Sequence, residues 1–142
     1  TGDVGSLDPT PCACGRALPK LRHLEGRTTD FLVTPSGRVI HALAAIYILR
    51  DSPSVREFRV IQETPGHLVV QLSPARPMGR VEEAGVRAQF AAVFGSDMHV
   101  DVVQLDRIPR TAAGKFRYVE SKIPPSVLEG LMSRHAQGAT NA

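Results

Sequence analysis

Two apolar stripes at helical spacing, set among short runs with strand character, constrain the fold of this chain more than any other feature. Each stripe repeats apolar residues three or four and then seven positions apart, which lines one face of an amphipathic helix. A helix with one apolar face must bury that face against another layer. The stripes comprise Ala42, Ala45, Ile46 and Leu49, and then Val86, Phe90, Val93 and Phe94.

The segments around the stripes predict strands joined by tight turns. Pro35-Ser36-Gly37 and Thr64-Pro65-Gly66 each combine a proline that fixes φ with a glycine that accepts positive φ, which is typical of turns. Apolar and β-branched residues flank both turns, so we expect a hairpin at each. The predicted strands are residues 31–34, 38–41, 58–63, 67–72 and 99–105.

Local signals predict where the two central helices begin and end. Pro53 ends the first helix, because proline cannot continue a helical hydrogen-bond ladder. Glu82 and Glu83 lie in the first turn of the second helix, where the helix dipole favours negative charge. Gly95 ends that helix.

A third helix is predicted near the C-terminus, completing the order of elements. Ser126 and Glu129 form a capping-box pattern, and Leu131 and Met132 would lie on its apolar side. From residue 31 the order is a hairpin followed by a β-α-β-β-α-β-like arrangement. This order predicts an α+β fold with helices packed on a small mixed or antiparallel sheet.

Residues 1–25 differ in character from the rest of the chain. They contain three prolines and both cysteines, and they show little periodicity. We predict an irregular segment of loops and short strands that belongs to a preceding domain. The chain starts at Thr1 without an initiator methionine, so we expect it to be a piece of a longer protein.

Cys12 and Cys14 are the only cysteines, and a single residue separates them. This spacing is unfavourable for an unstrained disulfide, so a reduced, cytoplasmic setting is expected. Two thiolates at this spacing can also begin a zinc site, with His23 as a third ligand. A closed site needs four ligands, so another domain would have to supply the rest; the alternative is a pair of free thiols in a loop.

Charge and aromatic content argue against nucleic-acid and membrane partners. The net charge of +3 is mild and suits a small anionic ligand such as a nucleotide. Only 5% of the residues are aromatic and there is no tryptophan, which leaves few side chains to stack on bases. No stretch approaches the roughly 20 apolar residues of a membrane span.

The spacing of the histidines indicates little about their function. His41, at a strand end, either lines a pocket near the linker or caps the hairpin. His67, His99 and His135 are expected to be exposed. None lies beside a serine or cysteine at a spacing that predicts a hydrolase triad.

The strongest candidate for chemistry is the loop from residue 108 to residue 118. Pro109 and Gly114 shape a tight turn that presents Lys115 at its tip. A lysine on a turn can bring its compact ammonium onto a phosphate or carboxylate. Further positive field would come from Arg110, Arg117 and Lys122. The alternative interpretation is an ordinary basic surface loop.

This loop resembles the last conserved motif of the adenylate-forming superfamily, Pro-x-Thr-x-x-Gly-Lys. Thr111, Gly114 and Lys115 match that motif, and Arg117 follows as a basic residue often does. The resemblance implies that Lys115 bridges the substrate carboxylate and the α-phosphate of AMP during adenylation.

Two further segments resemble motifs of the same superfamily, in the same order. Thr1-Gly2-Asp3 resembles a motif whose aspartate accepts hydrogen bonds from the ribose hydroxyls, which implies that role for Asp3. Residues 25–30 resemble the interdomain hinge Gly-Arg-x-Asp, which implies that Arg27 lies near the ribose and phosphates. The chain has Thr29 and then Asp30 where that motif has its acidic or basic hinge residue, so the hinge is shifted by one or chemically plain.

The set as a whole is similar to phenylacetate–CoA ligase and its relatives. The resemblance implies that residues 1–25 end a large N-terminal adenylation domain, 26–30 form the hinge, and 31–142 form the small mobile C-terminal domain. The implied reaction joins a small carboxylic acid to coenzyme A with ATP and Mg²⁺, through an acyl-AMP. The chain alone is expected to be inactive, since the nucleotide pocket would lie in the large domain.

Two other functions remain open on the sequence. One is an adenylation domain that loads a carrier protein instead of coenzyme A. The other is a non-catalytic, ferredoxin-like module that binds or senses a ligand.

Overall fold

The computed structural model describes residues 3–27, 31–110, 114, 116–128 and 130–131, and it describes the side chains of all of these except residues 3, 4 and 25–27. The fold is α+β, as predicted. The helices are α1 (Leu43–Arg50) and α2 (Arg80–Phe94). The strands are β1 (Asp3–Asp8), β2 (Lys20–Arg27), β3 (Phe31–Val33), β4 (Val39–His41), β5 (Val55–Thr64), β6 (His67–Pro74), β7 (His99–Gln104) and β8 (Val119–Ser121).

The main sheet has four strands in the order β7-β6-β5-β8. The central hairpin β5–β6 is antiparallel, whereas β7 and β8 join its two sides in parallel, so the sheet is mixed. The helices contact each other, with α1 also contacting β5 and α2 contacting β7. One face of the sheet therefore carries the main core. Its fully buried strand residues are Val60, Leu68, Val70 and Leu72.

The predicted helix stripes are confirmed with one exception. Ala45 and Leu49 are buried on α1, and Val86, Phe90 and Phe94 are buried on α2. Val93 is instead 38% exposed, because at about 100° per residue it falls at the edge of the α2 stripe. No helix in the described part of the chain is long and apolar enough to cross a membrane.

The short strand β8 was not predicted. It contains three residues, of which Val119 is the buried apolar one, so it shows no alternation of its own. Its position is fixed by parallel pairing with β5, where Val60 lies opposite Val119. A strand this short is defined by its partner and not by its own pattern.

The N-terminal segment, predicted as loops and short strands, forms a pair of strands. Strands β1 and β2 pair antiparallel, with two register shifts along the pair. Leu7, Leu21 and Leu24 on these strands are 60% to 65% exposed. Leu21 and Leu24 are three positions apart on β2, so the strand lacks the two-residue alternation by which a sequence pattern reveals a strand.

The C-terminal helix begins two residues earlier than the capping-box pattern predicts. Residues 125–128 and 130–131 are helical, and the amides of Val127 and Leu128 donate to the carbonyl of Pro124. Pro125 therefore takes the first helical position, where its missing N–H costs nothing. Leu128 is buried against Val33. Glu129 and Met132 lie outside the residues whose side chains are described.

Candidate functional site

The loop carrying the Gly-Lys motif is anchored firmly at its N-terminal end. Ile108 is 1% exposed, so its side chain lies in the protein interior. Its backbone amide donates to Oε2 of Glu57 on β5 at 3.3 Å. Further along the loop Pro109 and Arg110 are exposed. The loop thus leaves the core at Ile108 and enters solvent immediately afterwards.

The C-terminal end of the loop is anchored to the same strand. Phe116 packs edge-on against Tyr118 with ring centroids 4.7 Å apart, and Tyr118 packs on Phe58 of β5 at 5.1 Å. The amide of Val60 donates to the carbonyl of Tyr118 at 2.8 Å. Aromatic pairs at these separations add to the stability gained from burial. The position of Phe116 is therefore defined relative to β5.

The motif residues lie between these two anchors. Gly114 is exposed and has a φ of +72°, a conformation that glycine adopts without steric cost. Thr111 and Lys115 lie outside the described residues, so their roles stay predictions. Lys115 is bounded by the exposed Gly114 and the half-buried Phe116, the residues that immediately flank it.

The positive field around the loop is smaller than the sequence predicts. The Nζ atom of Lys122 lies 2.7 Å and 2.8 Å from the two carboxylate oxygens of Glu63, which offset its charge. The guanidinium of Arg110 lies 5.7 Å from the Phe116 ring centre, a cation–π distance. Arg117 is exposed. The prediction that Lys122 adds positive field to the loop is therefore wrong.

The predicted nucleotide and hinge residues fall at the other end of the chain. Asp3 and Arg27 are directly opposite in the register of β1 and β2, so the backbone brings the two positions together. Their side chains are not among those described. Thr29 and Asp30 lie outside the described residues. The assignments of Asp3, Arg27, Thr29 and Asp30 stay predictions.

A buried glutamine, for which the sequence pattern predicts only a strand position, joins the β3–β4 hairpin to the main sheet. Gln62 on β5 is fully buried. Its Nε2 donates to the carbonyl of Val33 at 2.6 Å, and the amide of Val33 donates to its Oε1 at 2.9 Å. The one available signal was that Gln62 continues the buried alternation of Phe58 and Val60. Its partner lies 29 positions away and has no local signature.

His41 makes a contact with the start of α1 that neither of its two predicted roles included. Its Nδ1 accepts from the amide of Leu43 at 3.2 Å, at the start of α1. Its ring also packs edge-on against Phe31 across the hairpin, with centroids 5.3 Å apart. His41 thus ties the hairpin to the first turn of the helix.

The two cysteines are close together, as free thiols. Their Sγ atoms are 2.9 Å apart. The hydrogen bond from Cys12 lowers the pKa of Cys14, and the backbone at Arg16 adds to this effect. Such a shift favours the thiolate, the form that binds metals. His23 on β2 does not join the thiols in any three-residue metal-ligand group within the described part of the chain.

His67 and His99 differ in exposure, and the prediction for His67 is wrong. His99 is exposed, as expected. His67 is half-buried, and its Nε2 lies 2.8 Å from Oδ2 of Asp101. Asp101 lies 34 positions after His67 in the sequence. The contact therefore depends on strand pairing, which local spacing does not reveal. His135 lies outside the described residues.

Comparison with known proteins connects this fold to a family. The family described as the CapK C-terminal domain matches residues 32–122. None of the curated proteins matches the chain. The structure is similar to 2-hydroxyisobutyryl-CoA ligase in the postadenylation state, in complex with R3-HIB-AMP, at 18% identity and a TM-score of 0.51. It is also similar to fatty acyl-adenylate ligases from E. coli and L. pneumophila, at 21% identity and a TM-score of 0.50.

The chain corresponds to only part of each of these ligases. The alignments span 96% and 98% of this chain but only 30% and 22% of the two ligases. At these identities the likeness establishes a shared fold, and that fold occurs in adenylate-forming ligases. Because the CapK C-terminal domain match covers most of the chain, including α1, α2 and the main sheet, the chain belongs to the family of CapK C-terminal domains.

Proposed function

We propose that this chain is the C-terminal part of an ATP-dependent, AMP-forming acid–thiol ligase of the aryl or phenylacetate type. One observation carries the proposal: a loop with the Pro-x-Thr-x-x-Gly-Lys pattern is fixed at both ends to β5, on a fold shared with acyl-adenylate ligases. Lys115 is the residue to which we assign the chemistry. The main partner of the chain would be the large N-terminal adenylation domain of the same protein.

In the first step a carboxylate oxygen attacks the α-phosphorus of ATP. The new O–P bond gives acyl-AMP, and the bond to pyrophosphate breaks. Negative charge grows on the phosphoryl oxygens and on the leaving group. The Lys115 ammonium would stabilise that charge as a positioned cation. Mg²⁺ bound to ATP would supply neutralisation of the phosphate charge, and we assign it no ligand within this chain.

In the second step the thiol of coenzyme A attacks the acyl carbonyl carbon. The thiol gives up its proton, a C–S bond forms and the C–O bond to AMP breaks. Asp3 and Arg27 would hold the ribose and phosphates through both steps. A carboxylate suits the ribose role, since it offers only acceptors to the sugar hydroxyls.

The same strand supports both elements that these steps require. Gln62 attaches the β3–β4 hairpin to β5, while Glu57 and Val60 attach the two ends of the Lys115 loop to β5. The hairpin and the loop would therefore move together when the hinge at residues 26–30 rotates. Rotation would withdraw Lys115 after adenylation and bring the hairpin towards the thiol acceptor, as lid motions of this kind do.

Carboxylate-dependent exchange of radiolabelled pyrophosphate into ATP tests the proposal. The longer protein that contains this chain is expected to catalyse exchange with phenylacetate or benzoate, and to form the CoA thioester when coenzyme A is added. The isolated 142 residues are expected to show neither reaction, because the nucleotide pocket would lie in the large N-terminal domain. Exchange by the isolated chain, or none by the longer protein with any carboxylate of an aryl and alkyl panel, would contradict the proposal.

A further inference from the structure

We propose that His67, His99 and Asp101 form a binding site for a divalent transition metal, with zinc as the ion whose chemistry fits best. The three residues lie on the main sheet, at the ends of β6 and β7. They take no part in the adenylation chemistry assigned to Lys115. Within the described part of the chain, they are the one group whose three potential ligand atoms converge.

The pairing of β6 with β7 fixes the geometry of this site. His67 and His99 are directly opposite in the parallel register, and the amide of His99 donates to the carbonyl of Gly66 at 2.8 Å. Asp101 is two residues beyond His99, so it projects from the same face of the sheet. The ligands therefore lie on paired strands, which hold side chains more accurately than loops do.

The distances between ligand atoms suit a small metal ion. Nε2 of His67 lies 2.8 Å from one carboxylate oxygen of Asp101, and Nε2 of His99 lies 3.2 Å from the other. The candidate ligand atoms all lie within 4.8 Å of one another. Zinc bonds of about 2.0–2.2 Å place neighbouring ligands of a tetrahedron roughly 3.4 Å apart. Small side-chain rotations would close the three ligands around one ion.

The residue types at the site favour the same class of ion. Two imidazoles and one carboxylate suit zinc better than calcium or magnesium, which prefer oxygen ligands. A carboxylate and a neutral imidazole are the forms of these side chains that ligate such a metal.

The site is accessible from solvent. Leu68, Val70 and Val100 alternate with the three ligands and point into the core beneath the helices, so the ligands occupy the opposite face of the sheet. The side chains of His99 and Asp101 are 70% and 50% exposed, and that of His67 is 32% exposed. Three protein ligands leave the fourth position of a tetrahedral ion to water or to a group from a partner.

Zinc titration by calorimetry tests the site in the 142-residue chain. Cys12→Ser and Cys14→Ser should be introduced first, so that thiol ligation cannot contribute to the signal. This background protein is expected to bind one equivalent of zinc, and bound cobalt should give visible d–d absorption without a thiolate charge-transfer band. His99→Ala and Asp101→Asn are each expected to weaken zinc binding at least 10-fold, and His41→Ala is the matched control that should bind unchanged.

Folding of every variant is checked by circular dichroism, since His99 is exposed and its loss should leave the fold intact. Two results would overturn the proposal. One is a background protein that binds no zinc while folded. The other is a folded His99→Ala or Asp101→Asn variant that binds zinc as tightly as the background protein.

Discussion

Replacing Lys115 with alanine in the longer protein is expected to lower the rate of acyl-AMP formation by about 10²–10³-fold, the loss typical when one positioned donor to a developing negative charge is removed. The second half-reaction, thiol transfer from preformed acyl-AMP, should keep most of its rate. The effects on the two half-reactions differ because Lys115 would leave the nucleotide site when the C-terminal domain rotates. Single-turnover assays of each half-reaction measure them separately.

Lys122→Ala is the matched control for this prediction. Lys122 belongs to the same basic stretch, but its ammonium pairs with Glu63. Exposed ion pairs contribute about 0–1 kcal/mol, so this variant should fold normally and keep both half-reactions. Equal loss of both half-reactions in Lys115→Ala would mean that the lysine supports folding or general binding, and it would contradict the role assigned.

Replacing Gln62 with leucine is expected to destabilise the chain by roughly 2–4 kcal/mol, because two buried backbone groups lose their partner at once. The amide and the carbonyl of Val33 both bond to the Gln62 side chain, which is fully buried. Leucine fills a similar volume but offers neither donor nor acceptor. Urea unfolding followed by circular dichroism gives the change in the free energy of unfolding.

Gln71→Leu provides the comparison. Gln71 lies on the neighbouring strand β6 and is half-buried, and its Oε1 is buried without a hydrogen-bond partner. Its replacement removes an unsatisfied acceptor, so we expect a change of less than about 1 kcal/mol. If Gln62→Leu shifted the urea midpoint no more than Gln71→Leu does, the glutamine would not be what holds the hairpin to the sheet.

Periodicity was sufficient to predict most of the C-terminal fold. The stripes of α1 and α2 and the strands β3 to β7 each carry their own apolar pattern, so each could be recognised alone. The strand β8 and the β1–β2 pair carry no such pattern. The first is defined by its partner β5, and the second leaves its leucines exposed.

The features of the candidate site also fall into two groups, those with a local sequence signal and those that depend on distant residues. The motif around Gly114 is local, so the sequence indicated it directly. The pairing of Lys122 with Glu63 and the bonding of Gln62 to Val33 join residues 59 and 29 positions apart. The cluster of His67 with Asp101 depends on parallel strands joined through α2. Contacts of this kind follow from sheet register, which one sequence does not define.

Lysine labelling of the longer protein, with and without a non-hydrolysable acyl-AMP analogue, tests the central claim most directly. The chain has three lysines. The two that the structure describes both pair with carboxylates: Lys20 with Asp8, and Lys122 with Glu63. Mass spectrometry is expected to show Lys115 labelled in the free protein and protected by the analogue, while labelling of Lys20 and Lys122 stays unchanged. Equal labelling of Lys115 with and without the analogue would contradict its placement at the nucleotide phosphate.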